Sequence, residues 1–336
     1  MKAVFVSFLS LSVLLSVSSC EWNRAFIGQS EDGRVKIERF DRAVNEFVHT
    51  GNYSSWQRLT IDYPQETSLL VERVLQLGTL ESESIGDTLR MFFNDSALQV
   101  LRGDVDHRFA DLTVFEKRLQ EALRGLAEKC SDFEPPRVYA QVSALNQSIV
   151  VGDSTVGISL DKYMGSDYPL YRKYFSECQR ATMKPDLMVQ DFLRFYLAAK
   201  YPFRRATADR TLMERVLYAG KINWVVAKVL DKSLIDAATL CEEARDWYRE
   251  NEPKVWKALS GEELRNTSDS TLIYSVLSLA AEHPYFKDIY SRGVGTWIGM
   301  RIIDTYMKNH SDVTVDELLQ TDDHAVLLEQ SGYAPL

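Results

Sequence analysis

The sequence predicts an α+β protein that is predominantly helical, with a small sheet and a two-helix unit surrounded by additional helices. Two observations predict it. Between Arg137 and Tyr163 lie three short strand-like segments, Arg137–Ser143, Ser148–Gly152 and Thr155–Tyr163, with Asn146-Gln147 and Gly152-Asp153 between them as turn signals. Directly afterwards, and again through Phe40–Lys129 and from Cys241 onward, apolar residues recur at the three-and-four spacing of helices.

The chain opens with Met1-Lys2, a positive end, followed by an apolar and serine run from Val4 to Val17. That run is too short for a ~30 Å hydrocarbon core and has the size of a signal-peptide core. Val17-Ser18-Ser19-Cys20 then matches a bacterial lipobox. Small residues let the chain enter the signal peptidase, and the Cys20 thiol carries the lipid. Residues 1–19 are therefore expected to be a signal peptide and 20–34 a lipidated, polar tether. More than one acyl chain on Cys20 would give the stable anchoring that a single chain does not. Residues 35–336 are expected to form a single, mostly helical domain. No Gly/Ser/Pro-rich spacer divides it, and no internal repeat is present.

The formal net charge is −9, and becomes −10 once Lys2 is removed. An acidic chain without a Lys/Arg cluster argues against nucleic acid, whose phosphates it would repel. Arg204-Arg205, the densest basic spot, reads as a solvated loop. With Cys20 assigned to lipid, Cys130, Cys178 and Cys241 remain. None has the two-residue spacing of a metal knuckle or redox motif, and the odd count leaves at least one thiol unpaired.

Apolar spacing predicts helices over Asp41–His49, Pro64–Leu77, Ile85–Phe93 and Val114–Lys129, with Trp56 and Tyr63 in a turn-like link. Pro135-Pro136 ends this section. In the first strand Val138, Ala140 and Val142 alternate with Tyr139 and Gln141, which suits a half-buried strand. Pro185-Asp186 opens the next helix and Pro202 closes it, with Val189, Phe192, Leu193, Tyr196 and Leu197 as its stripe. Thr211 with Glu214 is a capping-box pattern opening a second helix, whose stripe reads Leu212, Val216, Ala219, Asn223, Val226 and Leu230. Further helices are expected at Cys241–Leu259, Ser270–Ala281 and Thr296–Asn309, then a short one opened by the Thr314–Glu317 capping box, and Ala325–Gln330. Gly293 and Gly295 are expected to let the backbone pass close to a neighbouring helix. They lack the preceding strand and Gly-Lys-Ser/Thr of a phosphate loop.

Sheet, helix, helix is the order in which zinc metallopeptidases of the zincin type build their core. There the first helix carries His-Glu-x-x-His, two imidazoles on one face to hold zinc and a glutamate to activate water. Here that helix contains no histidine. Placing the motif on its polar side puts Gln190, Asp191 and Arg194 at the His, Glu and His positions. Ala219-Gly220 stands where a Glu-Gly pair is expected on the second helix. The chain's histidines are His49, His107, His283, His310 and His324, and no two are spaced as a metal-binding pair. There is no Gly-x-Ser-x-Gly elbow for a serine nucleophile.

Gly157-Ile158-Ser159-Leu160-Asp161-Lys162-Tyr163-Met164-Gly165-Ser166-Asp167-Tyr168-Pro169-Leu170-Tyr171 resembles the gliding-motility-associated lipoproteins of the GldB type. Met183-Lys184-Pro185, Gly220-Lys221, the run Arg292–Gly299 and the first-strand segment Val35–Asp41 fit the same family. The resemblance covers most of the mature chain. It implies a relation to zinc proteases without their ligands, and an association with gliding and surface-secretion machinery. Homologues also occur in bacteria that do not glide.

The expectation is thus a membrane-anchored, periplasm-facing lipoprotein with a degenerate zincin-like site, no cofactor and no catalytic residue, acting on cell-envelope proteins by binding. The groove between Thr155–Tyr163 and the helix at Asp186, with the Ile158 strand edge exposed for an added peptide strand, is the expected binding surface. The competing reading is a cell-envelope hydrolase using scattered carboxylates with Tyr163 or Tyr168.

Overall fold

A computed structural model of the chain describes residues 35–203, 211–238, 242–278, 286, 288 and 291–335. The signal segment, Cys20 and its tether, Arg204-Arg205, Cys241, His283 and the end of the Ser270–Ala281 helix lie outside the described residues.

The sheet has four strands: β1 (Ile37–Glu38), β2 (Arg137–Gln141), β3 (Ile149–Val151) and β4 (Thr155–Ser159), in the order β1-β2-β4-β3. β2 pairs in parallel with β1 and β4, while β3 is antiparallel to β4. The N-terminal helices are α1 (Phe40–Thr50), α2 (Tyr53–Gln57), α3 (Pro64–Ser68), α4 (Ile85–Phe93), α5 (Ser96–Arg108) and α6 (Thr113–Ala127). After the sheet come α7 (Pro169–Tyr174), α8 (Glu177–Thr182), α9 (Met188–Lys200) and α10 (Leu212–Val229). The C-terminal part holds α11 (Leu234–Ala238), α12 (Glu242–Ser260), α13 (Glu262–Arg265) and α14 (Ser270–Leu277). It closes with α15 (Val294–Asn309), α16 (Val315–Gln320) and α17 (His324–Ser331). The protein is a predominantly helical α+β fold, as its patterning predicts.

Several expectations change. β2 is not half-buried: Tyr139 and Gln141 are as enclosed as Val138 and Ala140. Both neighbouring positions are taken by strands, Phe40 of α1 packs edge-on against Tyr139, and α9 packs against β3 and β4. The stretch around Trp56 is not turn-like. It is α2, continued by wider π-helical turns over Arg58–Asp62. Trp56 and Tyr63 belong to the interior, 4.9 Å from Phe47 and 5.4 Å from Phe40 between ring centres. The expected third strand stops at Ser159, and Leu160–Lys162 turns as a short 3-10 helix.

The N-terminal helices, the sheet and α9 enclose one apolar cluster; α12–α15 enclose a second. α10 joins them. Leu212, Met213, Val216 and Leu217 enter the second cluster, whereas Ile222 and Trp224–Ala227 enter the first. It is therefore buried on most of its circumference, not along one stripe, and Ala219, Asn223 and Leu230 are only partly covered. A helix apolar nearly all round is an interior helix. Its capping box forms: Thr211 Oγ1 accepts from the Glu214 amide, and Glu214 accepts from the Thr211 amide at 2.9 Å.

α10 and α15 cross in contact at two glycines. A Cβ on Gly220 would lie 2.1 Å from the carbonyl carbon of Gly299, and one on Gly299 would lie 2.1 Å from the Val216 oxygen. Mid-helix glycine costs roughly 0.5–1 kcal/mol relative to alanine, so both positions work against helix propensity. Their use is the close crossing. Gly295 does the same against α14, where a Cβ would meet Val276 Cγ1 at 2.4 Å. Gly293 caps α15 with φ at +75°.

Candidate functional site

The long segment from Gly157 to Tyr171 holds the connection between β2 and β3. Ala144 and Leu145 both have positive φ, +52° and +65°, a region that costs side-chain-bearing residues energy. Asp161 holds them there, accepting the Ser143 amide at 2.9 Å and the Leu145 amide at 2.6 Å. Lys162 Nζ donates to the Leu145 carbonyl at 3.1 Å and lies 4.2 Å over the Phe175 ring. Burial pushes the Asp161 carboxyl above its ordinary value and the Lys162 ammonium below its own. The two amides and the adjacent ammonium pull the carboxyl the other way. Tyr171 donates to the Asp161 carbonyl and accepts the Met164 amide at 2.9 Å. Gly165, at φ +100°, donates to the Met183 carbonyl. Gly157 leaves room for Tyr139, whose Cζ would lie 2.4 Å from a Cβ there. The motif is thus mainly a lock on a strained loop.

Tyr163 carries the motif into a cleft. Its hydroxyl donates to Asp191 Oδ2 at 3.0 Å, and Arg194 Nη2 meets Asp191 Oδ1 at 2.8 Å. Asp191 is buried, which raises its carboxyl pKa; Arg194, Tyr163 and Lys232 pull it down. Burial and then the Asp191 charge push the Tyr163 phenol well up. Gln190 lies beside them, accepting from Lys232 Nζ at 2.9 Å and donating to the Ala237 carbonyl at 3.0 Å. Gln190, Asp191 and Arg194 line a cleft of about 330 Å³ whose other walls include Ser148, Thr182, Asn223 and Thr296, and Tyr163 and Lys232 hold Asp191 and Gln190 from behind it.

Gln190, Asp191 and Arg194 therefore do come together. Ala219 does not reach the cleft wall; Asn223, one turn further along α10, takes the place expected of it. Asn223 holds its amide back on the Ala219 carbonyl, 2.8 Å away. Sequence reasoning also missed Ser148, Thr182 and Thr296. Asn223 alone had a signal, being one helical turn from the expected position.

The cleft offers little to a catalyst. Among the described residues its lining contains one carboxylate, already held by a cation and a phenol, and no imidazole. Tyr168, the other phenol considered for hydrolysis, is tied to Asp104 at 2.8 Å. Among the described residues no group of three or more His, Cys, Asp or Glu side chains is placed to hold a metal ion. The expected binding edge needs correction as well. Ile158 sits in β4, which is paired on both sides, so the sheet's edges are β1 and β3. Among the described residues, no helix is long and apolar enough to cross a membrane, and Cys130 and Cys178 are free thiols.

Residues 25–335 match the model of the family described as gliding motility protein GldB, so the chain belongs to that family. The segments that resemble it in sequence include the loop lock, the Met183 contact and the Gly220–Gly299 crossing. No curated protein and no solved structure matches the chain.

Proposed function

We propose, from membership of the gliding motility GldB family, that this is a lipoprotein anchored through Cys20 and facing the periplasm. It acts without catalysis, as a component or accessory of gliding, secretion or cell-envelope machinery, by binding other envelope proteins. The surface that serves this is the cleft between α8, α9, α10 and α15, a zincin-like site emptied of its ligands.

One observation carries this reading. Asp191, the carboxylate nearest the expected place of a water-activating glutamate, is enclosed and paired with Arg194 at 2.8 Å. Arg194 occupies one Asp191 oxygen and the Tyr163 hydroxyl the other, and the adjacent cation lowers the carboxylate's affinity for the proton it would have to take from water. What the cleft still presents is a set of amides and hydroxyls suited to a polypeptide's own donors and acceptors.

A photo-crosslinking residue placed at Thr182, on the cleft wall, tests it in living cells. The control position is Val100, 62 % exposed on α5. Discrete protein adducts from Thr182 and none from Val100 are expected. No adduct from Thr182, or the same adducts from both positions, would overturn the assignment.

A further inference from the structure

We propose that a second site, separate from the cleft, binds a phosphate monoester between α10, α11, α12 and α15. The pocket there has a volume of about 420 Å³. Trp297, Arg301, Asp304 and Lys308 project from one face of α15, at the spacing of successive helical turns. Lys228 comes from α10, and Arg249 and Glu252 from α12.

The charge balance of this pocket runs against that of the chain. Among the described lining residues Lys228, Arg249, Arg301 and Lys308 outnumber Glu252 and Asp304 by two, in a chain of net charge −9, and Arg249 also meets Asp246 at 3.4 Å beside the pocket. Both carboxylates are already engaged. Asp304 accepts from the Trp224 indole at 2.9 Å and pairs with Lys228 at 3.4 Å and Lys308 at 2.7 Å. Glu252 accepts Arg301 Nε at 2.9 Å and the Tyr333 hydroxyl at 2.7 Å. Arg301 is thereby fixed through its Nε, its guanidinium carbon lies 5.6 Å from the centre of the Trp297 ring, and the Tyr333 hydroxyl shares the same Glu252 oxygen.

An independent observation points the same way. Trp297 lines the pocket and is 5 % exposed, yet its indole N–H is buried without an acceptor among the described residues. An unmet buried donor costs about 1–3 kcal/mol. The pocket's accessible donors are a guanidinium fork and ammonium groups, with the enclosed Trp297 indole behind them. Guanidinium matches the geometry of phosphate oxygens. A phosphate monoester carries roughly −1.5 to −2 at neutral pH, which balances the excess charge. The phosphate can come from a soluble ester or from a lipid headgroup.

The test uses the full chain purified in an uncharged detergent. Inorganic phosphate is titrated by calorimetry at constant ionic strength. In a second arm the full-length Cys20→Ser chain is mixed with phosphatidylcholine vesicles with and without phosphatidic acid. Saturable phosphate binding is expected. The exposed-residue double variant Arg249→Gln, Lys308→Gln should weaken it about tenfold or more without altering the melting temperature. Trp297→Phe, which removes only the indole donor from the pocket wall, should weaken it too. Vesicle binding that requires phosphatidic acid and is lost in the double variant assigns a lipid source. Phosphate binding without vesicle binding assigns a soluble one. Absence of saturable binding to either probe, or equal affinity in the double variant, overturns the proposal.

Discussion

Replacing Gly220 by alanine should destabilise the protein even though alanine is the better helix former. The new Cβ would lie 2.1, 2.5 and 2.6 Å from the carbonyl carbon, Cα and oxygen of Gly299. Non-bonded carbons settle at about 3.5–4.0 Å, so α10 and α15 must part by more than about 1 Å. No side chain can rotate away, because all three atoms are backbone. Overpacking of this kind costs about 1–3 kcal/mol, or more where backbone must move. The helix-propensity gain returns no more than about 1 kcal/mol. Taking the upper end of that cost, a net loss of about 2 kcal/mol follows, which lowers the melting temperature by roughly 4–8 °C. The control is Gly103→Ala in α5, where a Cβ meets nothing within 4 Å. That variant should gain about 0.5–1 kcal/mol. Thermal melts followed by far-UV circular dichroism compare the two. A Gly220→Ala protein at least as stable as wild type would show that propensity, not the crossing, governs this position.

Other outcomes follow from the same contacts. Asp161→Ala leaves the Ser143 and Leu145 amides without their acceptor and releases the positive-φ pair. It should cost about 3–5 kcal/mol in denaturant unfolding. Lys221 is 2 % exposed, donates to the Leu319 and Thr321 carbonyls, and burial lowers its pKa to about 8. Because the folded value is the lower one, the folded state releases this proton first. Its charging penalty is present in full below about pH 8 and fades as pH rises toward the unfolded value near 10.5. Wild-type stability should therefore rise by on the order of 1–2 kcal/mol between about pH 7.5 and 9.5, and Lys221→Met should abolish that slope. Cys20→Ser should move the protein from the membrane fraction to the soluble fraction of cell extracts; retention in the membrane would remove the lipid anchor at this residue.

Much of the architecture was legible because apolar spacing and capping residues are local signals. α1, α4, α9 and the capping boxes at Thr211 and Thr314 are read directly from neighbouring residues. α5 was not, since it buries only Leu101 and Val105 and shows little apolar stripe. Its one local mark was Asp95, whose carboxylate accepts the amides of Ala97 and Leu98. The double-sided burial of β2 and the interior place of β4 depend on strand order, which no local pattern carries. The same holds for the site. Gln190, Asp191 and Arg194 share a helix face, so their convergence follows from spacing alone. Ser148 and Thr296 reach the cleft, and Lys232 reaches Gln190 beside it, through tertiary packing. Asp161 and Lys162 read as part of the third strand, whereas they lie in a 3-10 turn, buried and engaged with the loop at Ser143–Leu145.

The most direct measurement is the metal content of the purified protein after saturation with zinc and exhaustive dialysis. With no imidazole among the described residues of the cleft wall and Asp191 held by Arg194, retained zinc should be far below one ion per chain. One tightly held zinc per chain, lost on Asp191→Ala, would show instead that the cleft still builds a metal centre.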